Sequence, residues 1–138
     1  DETIVAVVAT DHPLARKRNA TLAELARWPW ILQATTSPMR RQLDLMFQRA
    51  GLPIPAERIE TASILATTAL LQGTRMVAAV PLEVAQHYET RRLLAILPVK
   101  LDCGLGSYGV ITAAGRPLSP AAQRFIAMLR EAAQLAQQ

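Results

Sequence analysis

A chain of 138 residues, 51% hydrophobic and 19% charged, carries enough apolar side chain for one ordinary core and too little charge for a disordered chain. No apolar run approaches the ~20 residues of a membrane span, and a single cysteine, Cys103, excludes an intrachain disulfide framework. The net charge of +4 is a weak electrostatic bias, and with 4% aromatic residues there is no stacking platform for single-stranded nucleic acid.

After Asp1-Glu2-Thr3 the run Ile4 to Ala9 is continuously apolar and rich in valine, which predicts a strand buried on both faces. No initiator methionine, basic n-region or cleavage pattern precedes it. The start therefore reads as a cut inside a structured region, without a signal peptide, and a reducing, cytoplasmic setting is expected. Asp11-His12-Pro13 breaks the strand. Thr21-Leu22-Ala23-Glu24 has the capping-box pattern, so a short helix is expected up to Pro29. Trp30 to Gln33 reads as the next strand.

Ser37-Pro38 supplies an N-cap residue and a first-position proline, and Met39, Leu43, Met46, Phe47 and Ala50 then recur at helical spacing. Gly51-Leu52 has the form of a left-handed helix stop. A strand is expected at Arg58 to Thr61. The next helix, Ile64 to Gln72, is apolar nearly all round and so is expected to be deeply buried. Gly73 ends it. Met76 to Val80 predicts another buried strand, Pro81 to Glu89 a helix, and Leu93 to Leu97 a strand. The segment Ser107 to Ala113 is strand-like, and Ser119-Pro120 opens a last helix with Phe125, Ile126, Leu129, Ala133 and Ala136 on one face.

Strands alternating with helices imply an α/β fold with a mostly parallel sheet covered on both faces. The first strand and the Ser107 segment are set off by breakers from the middle of the chain. Residues 11–103 accordingly read as one nearly complete lobe. Residues 1–10 and 104–138 read as the crossing strand, and the returning strand and terminal helix, of a second, partial lobe.

Catalysis has no visible carrier. His12 and His87 lie in no cluster with metal-ligand spacing, so no metal is expected. There is no nucleophile elbow, phosphate loop or dinucleotide fingerprint, so neither an enzyme nor a cofactor is expected. What stands out is a pair of hydroxyl-rich loops at the carboxyl ends of strands, each opening a helix: Gln33 to Ser37 and Glu60 to Ser63. Ligands of open α/β sheets bind outside such strand ends, and helix N-termini there suit an anionic ligand, with Arg40 and Arg41 adding positive charge.

Several segments then match one family in order. Asp11-His12-Pro13-Leu14-Ala15 after an apolar strand resembles the entry to the second lobe of LysR-type transcriptional regulators. Phe47-Gln48-Arg49-Ala50-Gly51-Leu52 resembles the end of a helix in that lobe. Ala69 to Gly73 followed by Met76 to Pro81 resembles its buried helix, glycine and strand, and Leu118 to Ala122 with Phe125 and Leu129 resembles the final helix. Arg75 departs from the family's second glycine at that point, a variation similar to the galactose-binding-protein-regulator subgroup.

The resemblance implies a two-lobed, type 2 periplasmic-binding-protein-like fold that holds a small-molecule effector between its lobes. It implies promoter DNA bound through a winged helix-turn-helix outside this chain, and a homodimer or homotetramer with no membrane attachment. Carried over position by position, it places ligand contacts at Thr35, Thr36 and Ser37 and at Thr61, Ala62 and Ser63. A solute-binding receptor for transport shares the fold and is the competing expectation.

Overall fold

The computed structural model describes residues 2–104, 106 and 109–135. Contacts divide the chain into two units, Asp1–Ser107 and Tyr108–Gln138. The first holds strands β1 (Ile4–Ala9), β2 (Trp30–Leu32), β3 (Arg58–Glu60), β4 (Val77–Pro81) and β5 (Leu94–Ile96). Its helices are α1 (Leu22–Leu25), α2 (Pro38–Arg49), α3 (Ile64–Gly73) and α4 (Leu82–Glu89), with a 3-10 turn at Pro13–Arg16.

The five strands form one sheet in the order β3-β2-β4-β1-β5. Strands β3, β2 and β4 run parallel, with Trp30 opposite both Arg58 and Val77, while β1 lies antiparallel to β4 and β5. The setting apart of residues 1–10 is thereby corrected: β1 is an interior strand of the same sheet. Its side chains require that place. Ala6 and Val8 point into one buried cluster with Trp30, Leu43 and Phe47, and Val7 points into the other with Ile31, Leu71 and Val80. A strand apolar on both faces needs neighbours along both edges and layers above and below.

Local signals place most of the helix ends. The Thr21 hydroxyl accepts from the Glu24 amide at 3.3 Å, and the Glu24 carboxylate accepts from the Thr21 amide at 3.0 Å, completing the capping box. Gly51 closes α2 at φ +66°, with the Leu52 amide donating to the Phe47 carbonyl at 2.9 Å. His12 is buried. Its Nδ1 accepts from the Leu14 amide at 3.1 Å and its Nε2–H donates to the Arg75 carbonyl at 3.3 Å, so the neutral ring staples the chain after β1 to the start of β4.

Helix α3 departs from expectation. Thr67, Thr68 and Leu71 are its buried residues, while Leu65 is 74% exposed. The helix covers one side of the sheet, and apolar composition cannot turn its outer face inward. The two buried threonines return their hydroxyls to the helix, Thr67 to the Ser63 carbonyl at 3.0 Å and Thr68 to the Ile64 carbonyl at 2.8 Å. Both hydroxyls are thereby satisfied within the helix.

In the second unit, α5 (Pro120–Leu135) starts where expected, with the Ser119 hydroxyl accepting from the Ala122 amide at 3.2 Å. No described residue of α5 is buried, and Ala136 lies outside the described residues. The strand expected at Ser107 to Ala113 is not formed over residues 109–113, and Ser107 and Tyr108 lie outside the described residues. A strand exists by pairing, and the described strands pair only among β1 to β5; Ile111 stands 97% exposed.

Candidate functional site

The carboxyl ends of β2, β3 and β4 lie side by side in the sheet, so the loops that follow them, and the starts of α2, α3 and α4, gather at one edge. A cavity of about 490 Å³ opens there, within the range of small-molecule pockets. Strand β2 contributes Ile31 and Leu32, the following loop Gln33, and α2 contributes Met39 and Leu43. From the second loop and α3 come Thr61, Ala62, Ile64 and Thr67. Beyond the end of β4, α4 closes the wall with Glu83, Val84, His87 and Tyr88.

Of the residues expected at the site, the wall contains Thr61 and Ala62. Thr35 and Thr36 are exposed in the turn before α2 and are not part of it. Ser37 stands at the N-cap of α2 but caps nothing with its side chain: the hydroxyl donates to Gln33 Oε1. It thereby orients a side chain that is in the wall. Ser63 is exposed and accepts from the Ala66 amide at 3.3 Å, while Thr61 Oγ1 accepts from the Ser63 amide at 3.1 Å. The second loop is thus held by its own hydroxyls.

Arg40 also departs from expectation. It is 3% exposed rather than offered to a ligand. Its Nε donates to Asp44 at 2.8 Å, and its Nη1 donates to the Gln33 carbonyl at 2.9 Å and to Glu60 at 3.1 Å. One guanidinium therefore joins the loop after β2, the second turn of α2 and the end of β3. The Arg40 hydrogen bond holds the Glu60 carboxyl below its ordinary value of 4.5, with Arg58 assisting at 3.5 Å. Burial of both partners would be costly, but Asp44 and Glu60 remain partly solvated.

The α4 wall escaped sequence reasoning. The same strand-end rule that selected the loops after β2 and β3 applies to β4, but the run Val77 to Pro81 is followed at once by a helix, with no polar loop to draw attention. Cys103 plays no part at this edge. It is buried, and desolvation pushes its thiol up to about 11, so it is a neutral core group. Among the described residues no group of three or more His, Cys, Asp or Glu is placed to hold a metal ion. No helix of the described residues is long and apolar enough to cross a membrane.

A mixed α/β sheet with a largely apolar cavity across adjacent strand ends, opened by three helix starts, has the architecture of a ligand-binding lobe. The LysR substrate binding domain model matches residues 1–134, and the chain belongs to that family. Its α/β fold is accordingly the periplasmic-binding-protein-like one. The HTH-type transcriptional regulator GbpR of Azospirillum brasilense is 32% identical over 132 residues, which cover 95% of this chain and 39% of that protein. The chain thus spans well under half the length of that relative. Two solved structures share the fold. The regulatory domain of Synechocystis PCC6803 CcmR in complex with 2-PG has a TM-score of 0.69 at 21% identity, covering 93% of this chain and 61% of that one. The effector binding domain of QuiR in complex with shikimate has a TM-score of 0.65 at 20% identity, covering 91% and 58%.

Proposed function

We propose that this chain is the effector-sensing part of a bacterial LysR-type transcriptional regulator, and that a small molecule binds at the strand-end cavity. The observation that carries the reading is the cavity itself, at the edge where sheets of this kind take ligands. Thr61 and Ala62 contact the ligand from its wall, while Thr35, Thr36, Ser37 and Ser63 meet it from the lip formed by the same two loops. In this reading residues 104–138 belong to a second lobe.

Ligand binding favours one arrangement of the lobes. That shift alters how subunits of a homodimer or homotetramer present helix-turn-helix domains to promoter DNA in the cytoplasm. The name of the A. brasilense relative supports a regulator over a transport receptor.

The test uses the complete protein and its inducer. Thr61→Val, Thr36→Ala and Ser63→Ala should each weaken inducer affinity by roughly 1 kcal/mol, about fivefold, for one lost hydrogen bond. Calorimetry showing unchanged affinity in all three variants removes the site assignment.

A further inference from the structure

The cavity has an electrostatic character of its own, and it runs against an anionic ligand. Its described wall residues include one carboxylate, Glu83, and neither arginine nor lysine. Arg40, which follows the wall residue Met39 on α2, is already committed to Asp44, Glu60 and the Gln33 carbonyl. With Arg58 also reaching Glu60 at 3.5 Å, two guanidinium groups answer two carboxylates, and the cluster keeps no spare positive charge for a ligand. Of the three helix starts, Ser63 caps α3 and Glu83 occupies the first turn of α4, while α2 has no side-chain cap.

The remaining wall is mainly hydrocarbon, from residues such as Ile31, Leu43, Ile64 and Val84. Its other polar groups include the Gln33 amide, the Thr61 and Tyr88 hydroxyls and the His87 ring, which suit hydroxyl or carbonyl oxygens. A carboxylate carried into such a wall sheds its hydration without gaining an arginine or lysine, whereas an uncharged molecule gains from apolar burial.

We propose that the effector presents to this lobe an uncharged, largely hydrocarbon surface bearing hydroxyl or carbonyl oxygens, and that Glu83 together with the internally committed Arg40 excludes carboxylates from it. This rests on reading the cavity as the effector site. It assigns the ligand's chemical class at this cavity.

A matched pair of fluorescent probes tests it on the complete protein: N-phenyl-1-naphthylamine, which is neutral, and 1-anilinonaphthalene-8-sulfonate, the same skeleton with an anionic group. The neutral probe should saturate at a concentration about tenfold lower than the sulfonate. Glu83→Gln should tighten the sulfonate alone, by about threefold. Ile64→Trp, at a partly exposed wall position, should weaken the neutral probe by about fivefold by filling the cavity; Thr61→Phe on another part of the wall does the same if that variant misfolds. Equal or tighter sulfonate binding that is lost in the filled variants overturns the charge inference and leaves the cavity reading intact. Probe binding indifferent to both filled variants, or no saturable neutral binding, overturns the cavity reading and this inference with it.

Discussion

The two loops that lead into α2 and α3 are alike in composition and opposite in construction. Both are short, hydroxyl-rich and set between a strand end and a helix. The loop before α3 is built locally: Ser63 caps its own helix and Thr61 braces the Ser63 amide. The loop before α2 is built by distant partners. Ser37 turns away from the helix to Gln33, and Arg40 reaches across to Glu60 on the neighbouring strand. The same residue types therefore serve as a cap in one place and as a brace for a cavity wall in the other. The Arg40–Glu60 pair also ties the two loops together, so the geometry of one edge of the site depends on a single buried cation.

Removing that cation should have the largest effect. Arg40→Ala should destabilise the protein by about 2–3 kcal/mol, less than for a fully buried ion pair because Asp44 and Glu60 can rehydrate. Arg40→Lys should recover little of it, since one ammonium cannot reproduce the guanidinium's spread of donors. Denaturant midpoints measure both, and full recovery by lysine would mean that charge alone, not the three-way tie, holds the loop.

Next comes the contrast between the serines. Ser63→Ala should cost about 1 kcal/mol through the lost cap, and Ser37→Ala no more than about 0.5 kcal/mol, because its hydroxyl caps nothing. Equal losses would erase the distinction between the loops.

Acid should act on the second construction. Glu60 has a folded-state pKa below 4.5, so its contribution is present above 4.5 and is lost as pH falls through the lowered value. His12 acts in an earlier window: burial lowers its pKa from 6.5, against the Arg75 carbonyl hydrogen bond. Its contribution is present above 6.5 and declines as pH falls below it. Glu60→Gln should flatten the stability profile below pH 4.5. His12→Asn, which keeps an acceptor for the Leu14 amide, should flatten it just below 6.5. Profiles that match the parent protein in both windows would remove these two groups as the source of acid sensitivity.

Much of the architecture was legible because its signals are local. Thr21 to Glu24, Ser63, Gly51-Leu52 and Ser119-Pro120 set helix ends through hydrogen bonds that span only a few residues. Alternation of apolar runs with helical spacing announced the α/β class, and the strand-end rule led to Thr61 and Ala62. The errors share a cause as well. Pro13 and its neighbours do end β1, but a break in the chain does not separate a strand from its sheet. Composition alone makes α3 look buried on all sides, although a helix lying on a sheet buries one stripe only. Arg40, three residues after Ser37, looks like a free charge in the sequence because its partners are four, seven and twenty residues away.

The sequence by itself determined where most elements begin and end, since caps, turns and periodicity act over a single helical turn or strand. Tertiary structure alone decided that β1 is an interior strand of the sheet, that Arg40 is committed inside the protein, and that α4 completes the cavity. Those outcomes depend on strand order and on charges meeting across long stretches of chain. Neighbouring residues cannot encode such distances in their own spacing.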